Sequence, residues 1–197
     1  VREGEKQHIC TVKGVGPEFA ELSGLGSAMI AGTYDLRPDS TIPSLLGGGV
    51  ASRLDVAIMD EGIPPMVQVY IPRRDKRAAT SEEDAFYIGV TYPTGVFSLN
   101  DDFDFKYVLI PLEDARRIMG YTGEVSMVEL GLDPGTDAED LRDEIKNILG
   151  SDFTVKTRFE QNEVLFKTLS SEKWWTSRGS PDSSTRPIRV RVPCRIR

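Results

Sequence analysis

The chain has 197 residues, of which 39% are apolar and 28% are charged, a composition typical of a globular protein. Its net charge is −7, and the net charge of −12 over residues 1–176 argues against nucleic acid or an anionic membrane surface as a broad partner. No apolar run approaches the ~18 residues that a membrane span needs, and no N-terminal signal pattern is visible. Because the first residue is Val1, we expect the chain to be a piece cut from a longer protein.

The last 21 residues differ in composition from the rest. They contain six arginines, one aspartate and neither lysine nor glutamate. We interpret residues 177–197 as vector-derived or frame-shifted sequence and leave them out of the functional reasoning. The remaining residues, 1–176, hold 18 basic and 30 acidic residues, which gives this body a net charge of −12.

Short strands and glycine turns are predicted in the first hundred residues. Alternating apolar residues predict strands over residues 8–14 and 29–34. The glycines within residues 45–54 predict a turn that opens a short helix. Residues 67–71 and 86–91 have strand patterns and flank a charged loop, so we predict a long hairpin.

A further strand and helix are predicted after the hairpin. Residues 105–110 have a strand pattern, and residues 111–119 form a helix that Gly120 ends. The acidic residues 100–104 before this strand suggest a calcium loop, but Tyr107 stands where such a loop needs glycine. We therefore interpret them as a solvated acidic turn and predict no metal site.

The order strand, helix, strand, helix is predicted for residues 124–175. The strands are EVSMVELGL and SDFTVKTRF. Thr136 with Glu139, and Thr157 with Glu160, have the spacing of a capping box. In a capping box the two side chains satisfy backbone N–H groups at a helix start, so each pair predicts where a helix begins.

No catalytic constellation is visible. His8 and Cys10 share one face of a predicted strand, but no orienting carboxylate or oxyanion donor accompanies them. The glycines 47–49 precede a helix, yet Val50 and Ala51 stand where a phosphate-binding loop needs lysine and a hydroxyl residue. We predict that the chain is not an enzyme and needs no cofactor.

One basic cluster lies on the acidic body, at the tip of the predicted hairpin. It consists of Arg73, Arg74, Lys76 and Arg77. It is a charged tip that keeps a sheet edge from aggregating, or it is a contact loop for a partner. The residues alone leave both interpretations open.

A basic and aromatic group ends the last predicted helix. It consists of Lys173, Trp174 and Trp175. Adjacent tryptophans are typical of a membrane-interface anchor, but on residue types alone we favour packing against a neighbouring element.

Several segments, in order, resemble a known family. They are GVASRLDV, DEGIPPMVQVYIP, FYIGVTY, FKYVLIPLEDARRIMG and KTRFEQNEVLFKTLSSEKWW. Together they resemble the extracytoplasmic domain of lipoprotein-releasing ABC transporter permeases of the LolC/LolE type. The resemblance implies an α+β fold of mixed sheet and short helices, a MacB-like periplasmic core that lacks its first strand-helix-strand unit. Residues 1–103 would be a β-rich, sabre-like part with the long hairpin. Residues 104–176 would be a porter-like part of strand-helix repeats.

The resemblance also implies a function and partners. The chain would be a non-catalytic periplasmic domain of an inner-membrane permease, coupled through a membrane part to a cytoplasmic ATPase and a permease partner. It would receive a lipoprotein and pass it to a periplasmic carrier, with no nucleic acid involved. Lys173, Trp174 and Trp175 would then lie at the membrane, which reverses the interpretation from residue types alone.

One departure from the family and two alternatives remain. The loop 73–84 is charged where the family has apolar and proline residues, so its part in carrier binding is open. The alternatives are the periplasmic domain of a MacB-type efflux permease and a docking or scaffold module of the cell envelope. The sequence does not identify the cargo or the oligomeric state.

The tail carries one strand pattern of its own. Ile188 and Val190 alternate with Arg189 and Arg191, which gives an apolar and a cationic face. The resemblance implies that a strand-bearing unit is missing, which would expose a sheet edge. We predict that the tail pairs with that edge as a strand, in its own chain or in a neighbouring molecule, with its arginines toward the acidic body.

Overall fold

The computed structural model describes residues 1–37, 40–58, 65–73, 85–133, 135–157 and 160, and the backbone of residues 188–191. The protein is α+β, with a mixed sheet and a few short helices, as the sequence predicts. The chain forms two compact units, Val1–Gly123 and Glu124–Arg197.

The division between the units comes later than the expected boundary at residue 103. Strand β8 (Tyr107–Pro111) pairs with strands near the N-terminus, and helix α4 (Leu112–Met119) packs against one of them. Both elements therefore belong to the first unit.

The described part of the first unit contains eight strands and four α-helices. The strands are β1 (Arg2–Glu3), β2 (Lys6–Gln7), β3 (Thr11–Val15), β4 (Met29–Gly32), β5 (Pro43–Gly47), β6 (Val67–Pro72), β7 (Phe86–Phe97) and β8. The helices are α1 (Phe19–Ser23), α2 (Gly48–Leu54), α3 (Asp101–Asp104) and α4, with a 3-10 helix at Leu25–Ala28.

Strand β7 links the parts of this sheet because it is twelve residues long. The strand order is β2-β1-β6-β7-β5-β8-β3, and β4 also pairs with β7. The first half of β7 pairs antiparallel with β6, and its second half pairs parallel with β5. The predicted hairpin is confirmed, and its second strand continues through the centre of the sheet.

Strand β5 is fully buried and lies between β7 and β8. Leu45 and Leu46 have no exposed surface, and each belongs to a different apolar cluster of the core. The interpretation of this segment as a glycine turn missed the strand, while the short helix after it is confirmed. A continuous apolar run has no alternation from which a buried strand can be recognised.

The acidic segment before β8 is a short helix rather than a solvated turn. Asn100 caps α3 by accepting from the backbone N–H of Phe103. Asp104 is buried, and its carboxylate accepts hydrogen bonds from the Ser98 hydroxyl (2.6 Å) and the Leu99 N–H (2.8 Å). The solvated interpretation was wrong for Asp104 because these two donors satisfy the carboxylate inside the fold.

The second unit contains helix α5 (Ala138–Leu149) and a three-stranded sheet among its described residues. The strands are β9 (Met127–Leu130), β10 (Thr154–Thr157) and β11 (Ile188–Arg191). Leu132 and Val155 are buried beneath the apolar side of α5. The first three elements of the predicted order, a strand, a helix and a strand, are confirmed here. The predicted last helix lies outside the described residues beyond residue 160.

Strand β11 confirms that the tail pairs with a sheet. Residues 188–191 pair antiparallel with β10 on one side and with β9 on the other. The strand is therefore in the middle of the sheet and not at its outer edge. The predicted direction of its arginine side chains lies outside the described atoms.

One of the two predicted capping boxes is confirmed. Between Thr157 and Glu160, the Glu160 carboxylate accepts from the Thr157 N–H (2.8 Å) and the Thr157 hydroxyl accepts from the Glu160 N–H (3.3 Å). At α5 the cap is instead Asp137, whose carboxylate accepts from the N–H groups of Glu139 and Asp140. The prediction of Thr136 as the cap was wrong by one residue.

We expect substitutions at the start of α5 to distinguish these two residues. Asp137→Ala should lower the free energy of unfolding by about 1 kcal/mol, because two backbone N–H groups lose their acceptor. Thr136→Ala is the matched control and should change it by less than about 0.5 kcal/mol. Urea unfolding followed by circular dichroism measures both. A larger loss of unfolding free energy for Thr136→Ala than for Asp137→Ala would show that Thr136 is the cap, as the capping box predicts.

Candidate partner-binding site on the long hairpin

The hairpin of β6 and β7 has a regular antiparallel register. The pairs run from Val67 opposite Thr91 to Pro72 opposite Phe86. The Arg73 N–H then donates to the Ala85 carbonyl (2.9 Å), which extends the ladder by one step toward the tip. Residues 74–84 at the tip lie outside the described residues.

The inner face of the hairpin packs on the first unit. Val67 and Val69 have no exposed surface, and Gly89 opposite Val69 is also buried. Ile118 of α4 lies directly over Gly89, so that a Cβ at this position would be 2.6 Å from the Ile118 Cδ1 atom. The close approach of α4 requires glycine here and fixes which face of the hairpin points inward.

The opposite face of the hairpin is apolar apart from Gln68. Its apolar residues alternate with the buried ones and are Tyr70, Pro72, Phe86, Ile88 and Val90, a set that we call the hairpin outer face. Half of the Ile88 side chain is exposed, and Pro72 is exposed as well. An antiparallel sheet with one face on a core normally presents polar residues on the other. The hairpin outer face departs from that rule.

Aromatic contacts order the hairpin outer face. The Tyr70 and Phe86 rings meet edge to face, with their centroids 6.2 Å apart. The Tyr70 hydroxyl donates to the Gln68 side-chain oxygen (2.8 Å), which satisfies its polar atom within the same strand. The rings are therefore held in place and present apolar area at a small entropic cost of ordering.

Arg73 is held at the tip end of the hairpin. Its guanidinium lies 4.6 Å from the centroid of the Tyr87 ring, and its Nε–H donates to the Phe86 carbonyl (3.4 Å). Its side chain remains exposed. By the register, Arg73 and Tyr87 belong to the same face of the hairpin as Val69 and not to the hairpin outer face. The other cluster residues, Arg74, Lys76 and Arg77, lie outside the described residues.

Sequence reasoning placed the contact in the charged loop and did not identify the hairpin outer face. The signal for it was present in FYIGVTY, which is apolar in both phases of its alternation. Such a pattern is typical of a strand that is covered on both faces. It indicates a contact surface only when the structure shows that apolar residues of one face are exposed, as Ile88 and Pro72 are here.

The His8 and Cys10 pair lacks the features of a catalytic dyad. The His8 Nε2 atom donates to the Phe105 carbonyl (2.7 Å), which assigns a proton to that nitrogen. Burial raises the pKa of the Cys10 thiol, with the N-terminal ammonium opposing the shift. A reactive cysteine needs a lowered pKa, so both observations favour the prediction that this pair is not catalytic.

Metal and membrane elements were searched within the described residues. In this part of the chain no group of three or more His, Cys, Asp or Glu side chains could hold a metal ion. None of the described helices is long and apolar enough to cross a membrane. The predicted membrane-proximal residues Lys173, Trp174 and Trp175 lie outside this part.

Comparisons with known proteins give no assignment. Neither the models of known protein families nor the curated proteins match this sequence. The functional assignment therefore depends on the geometry of the hairpin and on the resemblance of the sequence segments.

Proposed function

We propose that this chain is a non-catalytic periplasmic domain of an inner-membrane ABC transporter permease of the lipoprotein-releasing type. In this proposal the hairpin outer face binds a periplasmic lipoprotein carrier and hands the lipoprotein cargo to it. The membrane part of the permease, with a cytoplasmic ATPase and a permease partner, supplies the energy. The finer architecture, a MacB-like periplasmic core, belongs to the same proposal.

The single observation that carries the proposal is an ordered apolar face on a hairpin. Burying an exposed apolar side chain contributes about 1.5–3 kcal/mol, so a few such residues suffice for a specific contact. Aromatic and aliphatic anchors surrounded by polar residues are the usual composition of such contacts. Tyr70, Phe86 and Ile88 provide the anchors, and the Gln68 side chain provides polar atoms beside them.

The rest of the described chain supports a binding role. The hairpin shares β7 with the central sheet, so its stem is continuous with the buried core of the first unit. Binding residues are frequently placed on such extensions of a rigid scaffold. The resemblance of the segments around both strands to the permease family directs the proposal to a carrier rather than to another protein.

Direct binding tests the proposed function. The purified chain is immobilised, and the periplasmic lipoprotein carrier from the same genome is passed over it in surface plasmon resonance. We expect saturable binding with a Kd in the micromolar range, typical of a transient hand-off. An unrelated periplasmic protein of similar charge is the control. Failure of the carrier to bind above this control would contradict the proposal.

A further inference from the structure

The central strand of the three-stranded sheet in the second unit is β11, which comes from a distant part of the sequence. Strands β9 and β10 run parallel, because each pairs antiparallel with β11. Helix α5 connects β9 to β10, so the local segment leaves one strand position open between them. A segment that follows thirty residues after β10, residues 188–191, fills this position.

The pairing of β11 depends mainly on backbone groups. Its four residues pair with four residues of β10 and four of β9, and neither register shifts. Main-chain hydrogen bonds on both sides supply affinity for any extended chain, and side chains add selectivity at alternate positions. The backbone pairing alone therefore places little constraint on the sequence of the occupant.

The residues opposite the central strand indicate which side chains an occupant of this position should have. Val190 stands opposite Val155 on one side and Val128 on the other, and Ile188 stands opposite Thr157 and Leu130. Val155 and Thr157 are buried, whereas Val128 and Leu130 are 41% and 36% exposed. An occupant with apolar side chains at alternate positions would cover this face.

We propose that the position between β9 and β10 is an exchangeable strand-binding site. Its ligand is an extended segment of another polypeptide, apolar at alternate positions and antiparallel to both strands, which displaces residues 188–191. The tail is separated from β10 by thirty residues of sequence, and it pairs with both neighbouring strands. Because the tail belongs to the same chain, its effective concentration at this position is high, and an external segment must compete with it.

A labelled peptide with the sequence of residues 186–193, RPIRVRVP, is the probe, and fluorescence anisotropy with the full chain is the measurement. Val190→Pro in the chain removes a backbone donor and should release the tail, because proline is excluded from central strands. We expect this variant to bind the peptide at least ~10-fold more tightly than the unsubstituted chain. Val190→Thr, which keeps the donor and the β-branch, should bind as the unsubstituted chain does. Equal binding by the proline variant, or equal binding of a peptide with proline in place of its central valine, would overturn the proposal.

A second variant keeps the test valid if Val190→Pro fails to fold. Val128→Cys and Val190→Cys are introduced together, with Cys10→Ser and Cys194→Ser, because directly opposite residues of paired strands are close enough for a disulfide. Oxidation should lock the tail in place and abolish peptide binding, and reduction should restore it. Peptide binding that is the same in both redox states would show that the peptide does not use this position.

Discussion

Gly47→Ala should lower the free energy of unfolding of the first unit by about 3 kcal/mol, with a fall in Tm of roughly 10 °C. Gly47 is the buried last residue of β5, and its φ of −65° is accessible to any residue. The obstacle is space, since an added Cβ would be 2.9 Å from the Asp104 Cα and closer still to the Asp104 carbonyl oxygen. Both atoms belong to the backbone of α3, which the buried Asp104 carboxylate holds in place.

Gly48→Ala is the matched control for this prediction. The next residue along the chain begins α2, and the nearest atoms to its added Cβ are the Ile30 Cδ1 and the Phe97 carbonyl oxygen, both at an ordinary 3.5 Å. Alanine is a better helix former than glycine, so this variant should gain about 0.5–1 kcal/mol. Thermal unfolding followed by circular dichroism gives both values. Equal effects of the two substitutions would show that the contact between β5 and α3 is not tight.

Ile88→Asp should weaken carrier binding by at least ~10-fold and leave the Tm within a few degrees of the unsubstituted chain. Ile88 is half exposed on the hairpin outer face, so the free protein loses little packing. In the bound state a carboxylate at this position would be desolvated without a partner, which is costly. Surface plasmon resonance and thermal unfolding on the same samples separate the two effects.

Ile9→Asp is the matched control for Ile88→Asp. Ile9 also lies in the first unit, is 96% exposed, and receives the same substitution and the same change in net charge. It lies outside the hairpin, so carrier binding should be unchanged. If both variants weakened binding equally, the cause would be the added negative charge on an acidic protein and not the hairpin outer face.

Elements of the fold could be predicted where residues close together in the sequence determine them, through apolar alternation or a glycine at a helix end. The first hairpin strand follows from the alternation of Val67 and Val69, and the end of α4 follows from Gly120, which adopts a left-handed φ of 69°. Strand β5 could not be predicted, because a strand buried on both faces has no alternation and its Leu45 and Leu46 look like the start of a helix.

The candidate site could be predicted only in part, for a related reason. Charged residues can be recognised directly in the sequence, so the binding site was predicted at the basic cluster that begins at Arg73. The apolar outer face depends on which side of the hairpin α4 covers, and that follows from the contact of Ile118 with Gly89. A contact between residues far apart in the chain has no local signal, whereas the capping pair Thr157 and Glu160 lies three residues apart and was predicted correctly.

Photocrosslinking in the membrane of the proposed permease tests the central claim most directly. A photoreactive amino acid replaces Ile88 in the proposed full-length permease, and the same amino acid replaces Ile9 in a parallel sample. After irradiation, an antibody against the lipoprotein carrier detects crosslinked products. We predict a carrier adduct from position 88 and none from position 9. An adduct of equal yield from both positions, or a carrier adduct from position 9 alone, would contradict the assignment of the hairpin outer face as the carrier-binding surface.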